Sequence, residues 1–185
     1  MTIHLNPFAI SNLIVIACSL PISILTFLSV EKSKPVKYFG LHSFSIAWWG
    51  FFAFLGSTTT NMDFALTTLR TAYAGVLFIP IFFLHSNISS SNYKTILILG
   101  YTQSIAFLLL ILKGTFITEV QITFNSYYFI KGSVTYVVSF WVWVAYAVIA
   151  QIALIKNFSQ SGKLRDLIYI IPAILAYSSA ITNFF

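Results

Sequence analysis

Four side chains in this sequence could together bind a polar molecule: Arg70, Asp63, Tyr73 and Gln103. Arg70 stands inside a long apolar stretch. An arginine in such a place is costly in hydrocarbon and turns to a bundle interior, to water or to headgroups. Asp63 precedes it by seven residues, close to the same helical face. Tyr73 follows at i+3 and shares that face. Gln103, with Ser104, interrupts a second, very apolar stretch. These positions predict an outward-opening polar pocket floored by Arg70, with Tyr73 or Gln103 at its wall, suited to an anionic or polar ligand. The competing reading is an arginine that snorkels to the outer headgroups. Asn12 and Gln151 are further amides within apolar stretches, where such groups mostly hydrogen-bond neighbouring helices.

Enzyme signatures are missing. The sequence has no Gly-rich phosphate loop, no His-Glu-x-x-His and no paired intramembrane carboxylate of the kind proton pumps need. The four acidic residues, Glu31, Asp63, Glu119 and Asp166, fall at the ends of apolar stretches or between them. The single Cys18 excludes a disulfide framework and a cysteine-based metal site. His42 and His85 could ligate a haem or metal from adjacent antiparallel helices. Both fall at the rim, where interfacial, solvated rings are the simpler reading. The residues therefore predict no catalytic group, no metal and no cofactor.

The elements that must position these side chains follow from composition. Of 185 residues, 58% are hydrophobic and only 8% charged; the mean hydropathy is +0.89. Soluble domains carry about 25% charged residues, so this chain cannot cover a water-facing surface. Six apolar stretches are long enough to span a bilayer: 8–30, 39–56, 64–84, 96–112, 134–155 and 167–185. They do not alternate as barrel strands do, and only helices satisfy their backbone groups in lipid. Pro21, Pro80 and Pro172 fall inside spans and predict kinks. Trp48, Trp49, Trp141 and Trp143 lie toward the middle of spans and predict bundle packing or a pocket wall. Ala145, Ala150 and Ala153, with Ala176 and Ala180, allow close helix approach.

Charge placement sets an orientation. In a soluble protein the net charge of +6 would suggest nucleic acid; here the positives sort by loop. Lys32, Lys34, Lys37, Lys94, Lys156, Lys163 and Arg165 fall on one side, and Arg70, Lys113 and Lys131 on the other. The positive-inside rule then predicts an N-terminus outside a cytoplasmic membrane, and with six spans a C-terminus outside as well. The sequons at Asn87 and Asn157 fall in inner loops and are expected to stay unmodified. The box ending at Cys18 resembles a lipoprotein cleavage site but lacks the preceding basic residues, so Cys18 reads as an ordinary intramembrane cysteine.

The longest outer connection, 113–133, carries two β-prone runs, Val120–Phe124 and Tyr127–Ile130, around Asn125-Ser126. They predict a short hairpin on the outer surface, either a lid over the bundle or an interfacial anchor.

Several stretches bear a family resemblance: Ala47-Trp-Trp-Gly-Phe-Phe52, the run 64–83 with Arg70, Gly75 and Pro80, Gly132 before a Tyr-rich fifth span, and the basic turn Gly162-Lys-Leu-Arg165. Taken in order they resemble the N-terminal seven-helix membrane region of bacterial sensor histidine kinases. The resemblance implies a sensory input domain without catalysis of its own, and Arg70 matches a recurrent position. It maps no ligand site onto this chain. The seventh helix and the kinase output are missing, so the chain reads as a fragment or as a shortened relative that signals through other subunits.

The expected fold is thus an all-α integral membrane protein: one six-helix transmembrane bundle with a small extracytoplasmic β-hairpin between helices 4 and 5. The expected function is a non-enzymatic sensory module. Its alternatives are an accessory or structural subunit of a larger membrane complex and, more weakly, a small transporter. Expected partners are the lipid bilayer and another membrane subunit or a separate output protein, with no nucleic acid.

Overall fold

The computed structural model describes residues 6–30, 33–88, 93–123 and 126–161, together with Ile174 and Tyr177. Helix α1 (Pro7–Leu28) starts where Asn6 accepts the Ala9 N–H on its Oδ1 at 2.7 Å, with Pro7 in the first turn. Both are favoured at helix starts, because the first N–H groups have no helical acceptor. The Asn6 Nδ2 also donates to Ser57 O at 2.8 Å. One side chain thereby caps α1 and ties its start to the end of α2 (Lys34–Thr58). Pro21 lies within an unbroken α1. Asn12 is buried and donates to Phe8 O. Ser23 Oγ donates to Gly40 O at 3.1 Å across the α1–α2 seam.

The third apolar stretch is not one kinked helix, as its sequence suggests, but two. Helix α3 (Met62–Val76) and helix α4 (Ile79–Asn87) are separated at Leu77 and Phe78. Asn61 caps α3 by accepting the Phe64 N–H. The last residue of α3, Val76, sits four residues before Pro80, which has no N–H for the Val76 carbonyl. Helix α5 (Lys94–Leu112) follows, then strands β1 (Ile117–Thr123) and β2 (Ser126–Gly132), then α6 (Val134–Ser161). The strands pair antiparallel from Thr123–Ser126 back to Ile117–Gly132, with register shifts around Glu119. Their base is fastened where Ser133 N–H donates to Phe116 O at 3.2 Å.

Five helices among the described residues are long and apolar enough to cross a membrane: Pro7–Leu28, Lys34–Thr58, Met62–Asn87 (α3 with α4), Lys94–Leu112 and Val134–Asn157. The expected sixth span, 167–185, lies outside the described residues apart from Ile174 and Tyr177, which are helical. The second span is longer than 39–56. Its start reaches back to Lys34 with Pro35 in the first turn, since a lysine stem lies against apolar surface while its ammonium reaches water.

The core lies where α4 meets α6 under the foot of the strands. It contains Tyr73, Ile81, Leu84, Phe116, Ile117, Tyr136, Trp143, Ala147 and Ala150. Helices α1 and α5 are mostly exposed, as lipid-facing rods are. Trp141 also faces outward at 60% exposure, whereas Trp143 is buried, so the two tryptophans expected to act alike do not.

Close packing of α3 on α2 depends on Gly75. A Cβ there would stand 2.8 Å from both the Ser45 carbonyl oxygen and the Trp48 ring. The first neighbour is backbone and cannot swing aside. Gly75→Ala is therefore expected to destabilise the fold by about 1–3 kcal/mol, the usual cost of overpacking. Thermal unfolding in mild detergent measures this. An unchanged transition would mean that α2 and α3 are not in contact here.

Candidate functional site

Breaking a helix at membrane depth frees backbone carbonyls, and hydrocarbon offers them nothing. Here three neighbouring helices supply the donors. From α6, Trp143 Nε1 donates to Val76 O at 3.1 Å, filling the place Pro80 leaves empty. From α5, Ser104 Oγ donates to Leu77 O at 3.0 Å. From α2, His42 Nδ1 lies 3.0 Å from Ile79 O. A carbonyl only accepts, so this Nδ1 carries the proton and Nε2 is left as an acceptor. A fourth donor, Trp48 Nε1, bonds Thr71 O one turn earlier at 2.8 Å. The divided helix is thus pinned from three sides by single side-chain bonds.

The second feature is the setting of Arg70. Its Nε donates to Ile117 O at 2.9 Å, and its Nη2 donates to both Gly114 O (2.8 Å) and Ile117 O (2.7 Å). Gly114 has φ +73, and a Cβ there would meet Nη1 at 3.2 Å. The left-handed turn after α5 therefore wraps around the guanidinium, and glycine suits both the backbone angle and the space. Below it, Tyr73 and Tyr136 hydroxyls lie 3.1 Å apart, and the rings of both pack against Phe116. Arg70 and this aromatic cluster close that end of the bundle.

The four residues expected to form a pocket are consequently spread apart. Arg70 is half-buried and engaged with backbone; Tyr73 is buried beneath it. Asp63 is exposed in the first turn of α3. Among the described residues no ion pair joins it to Arg70. Gln103 is half-buried, eleven residues before Gly114 on the α5 side, a rise of about 16 Å along a helix. Its neighbour Ser104, not Gln103 itself, reaches the divided helix.

At the opposite end, His85 stacks on Tyr38 with ring centroids 3.4 Å apart, and its Nδ1 lies 2.8 Å from the Tyr101 hydroxyl. His85 and His42 thus have separate protein partners. No group of three or more His, Cys, Asp or Glu side chains that could hold a metal comes together among the described residues. Lys34, Lys37, Lys94 and Lys156 all belong to this end by the alternation of helix direction, whereas Asp63 and Glu119 belong to the end with the strands.

Sequence reasoning named Pro80 and the tryptophans but not their connection. The usable signal was a proline sixteen residues into a span, together with indole donors in mid-span on neighbouring helices. Fold and site define a polytopic helical protein suited to a membrane, with a divided third span. Comparison with protein-family models, curated proteins and solved structures finds no match.

Proposed function

We propose that this chain is a non-enzymatic sensory membrane module of the cytoplasmic membrane, resembling a histidine-kinase input domain. In this reading it is a six-helix bundle with its N-terminus outside and its strand pair on the outer surface. The observation that supports it is the divided third span. A helix cut in two and held by side-chain donors from α2, α5 and α6 can re-register without breaking a continuous backbone ladder. Interfaces of that kind are bistable rather than smoothly deformable. A change at the strand end, where Arg70 fixes α3 to the α5–β1 turn, then reaches α4 and the lysine-rich end through the break.

The same break could belong to a transporter, since divided helices form ion sites in many. There, unwound carbonyls coordinate the ion. Here, carbonyls of the break are already taken by Trp143, Ser104 and His42, and the carboxylates among the described residues are remote. A second reading, an accessory subunit of a larger complex, is favoured by the uncovered faces of α1 and α5, with Ile98, Leu99, Ile105 and Leu109 all exposed.

Mild-detergent extraction from native membranes, with mass identification of what accompanies the chain, separates these readings. The sensory reading expects a substoichiometric signalling protein bound through the lysine-rich end and lost on replacing Lys34, Lys37 and Lys94. A stoichiometric integral membrane partner retained in that variant supports the accessory-subunit reading and sinks the sensory one.

A further inference from the structure

Arg70 has a nitrogen to spare. Its Nε and Nη2 are committed to the carbonyls of Gly114 and Ile117. Its Nη1 has no acceptor among the described residues, and it is not one of the buried atoms there that lack a partner. A Cβ at position 114 would stand 3.2 Å from Nη1, and glycine leaves that side of the nitrogen uncovered. Nη1 is therefore open to the surroundings of the bundle, with two N–H donors unused.

The charge is also unbalanced. Among the described residues Arg70 forms no ion pair. Asp63 is seven residues back along α3, about 10 Å nearer the helix start, and both it and Glu119 are exposed. Lys113 is exposed too and adjoins Gly114, whose carbonyl accepts from Nη2. The turn after α5 thus carries a second positive charge one residue from the guanidinium's anchor.

Helix α5 fixes the depth of this turn. It is mostly uncovered by the rest of the bundle. Its 19 residues rise about 28 Å, close to the ~30 Å of a bilayer's hydrocarbon core. Lys94 opens the helix and Lys113 follows it, with no charged residue between them. Upright in a bilayer, α5 puts Lys113 and Gly114 at the hydrocarbon boundary on the strand side. The Gly114 carbonyl holds the guanidinium at the same level, where the polar headgroup region of a phospholipid begins.

We infer that Arg70 Nη1 and Lys113 bind the phosphate of one phospholipid headgroup, in the leaflet on the strand side. A phosphodiester carries one negative charge and oxygens that accept from both N–H groups of Nη1, and charge-assisted bonds of this kind are short and strong. The two carbonyls hold the planar guanidinium in one orientation, so the site is preorganised, unlike that of an arginine that only snorkels. Inorganic phosphate shares this chemistry; the depth set by α5 favours the lipid. The inference needs only that the chain lies in a bilayer, not the sensory reading.

The test uses the full chain in lipid bilayers, labelled with 15N in its guanidino groups. Arg70 and Arg165 are its two arginines, so Arg165→Lys leaves the Arg70 signals alone. Solid-state 15N–31P dephasing then reports contact with phosphate. In phospholipid bilayers and phosphate-free buffer, one Nη nitrogen is expected to dephase while Nε, held by Ile117 O, does not. Phospholipid titrated into a phosphate-free galactolipid bilayer is expected to saturate this dephasing. Lys113→Gln should raise the half-saturating fraction about two- to fivefold, the effect of losing one exposed ion pair. Dephasing of neither Nη nitrogen overturns the proposal. So does equal dephasing of Nε, which would mean a loose arginine that has left its carbonyls. Inorganic phosphate acting as well as phospholipid in the galactolipid bilayer overturns it too, as does a half-saturating fraction that Lys113→Gln leaves in place.

Discussion

Trp143→Phe is expected to destabilise the protein by about 1–2 kcal/mol, and the loss should largely vanish when Pro80→Ala is added. The indole donates to Val76 O from a buried position. Phenylalanine keeps much of the packing against Tyr177 but leaves that carbonyl without a donor in an apolar interior. An orphaned buried acceptor costs about 1–3 kcal/mol. Interhelical hydrogen bonds measured in membranes lie nearer the low end of that range, because the unfolded reference also finds partners. Alanine at position 80 has the N–H that proline lacks, so it can supply the missing i to i−4 bond. The two substitutions should therefore couple by about 1 kcal/mol rather than add. A double-mutant cycle on thermal or denaturant unfolding in detergent reads the coupling directly. Simple additivity would show that the indole does not stand in for the proline's absent donor.

Arg70 carries the second large effect. It makes three bonds to two backbone carbonyls, those of Gly114 and Ile117. Hydrogen bonds from a charged donor contribute about 1.5–3 kcal/mol each when buried, but the guanidinium is half-exposed, so a total of about 2–4 kcal/mol is expected for Arg70→Ala after allowance for screening. Arg70→Lys should recover less than half. One ammonium on a flexible stem cannot reproduce a planar fork bridging Gly114 O and Ile117 O. The loss should be local. Hydrogen exchange in residues 113–120 should quicken by about tenfold or more, each 1.4 kcal/mol being a factor of ten, while α1 and α2 keep their protection. Equal loosening of α1 would show that Arg70 holds the whole bundle rather than the α5–β1 turn. Retained protection in Arg70→Ala would instead leave the residue free for the ligand role its position in the span first suggested.

The two features differ in how far the sequence reveals them. Pro80 announces a disturbed helix, because a missing N–H is a property of the residue itself. Whether the helix bends or divides depends on what can reach the freed carbonyls. The reach of Trp143, Ser104 and His42 spans 67, 27 and 37 residues of sequence. Arg70 is conspicuous for the same reason Pro80 is, an unusual residue in an apolar run. Its spacing from Asp63 and Tyr73 pointed to a shared face, yet its partners are carbonyls 44 and 47 residues away. Gln103 drew notice as the polar break in its span, while the working contact belongs to Ser104 beside it. Gln151 was legible as an amide in a span, but not that its amide would be left without a partner.

What the chain determines unaided is its solvent. Transfer free energy sums over residues, so 8% charge and long apolar runs decide for helices in hydrocarbon whatever their arrangement. The placement of Lys34, Lys37, Lys94 and Lys156 at one end, and of Lys113 with the carboxylates among the described residues at the other, follows from helix direction alternating along the chain. Only the tertiary structure decided which groups meet. Backbone carbonyls are chemically alike at every position, so no residue type marks the one a distant indole, imidazole or guanidinium will choose; packing brings it within 3 Å, and packing is a property of the whole bundle.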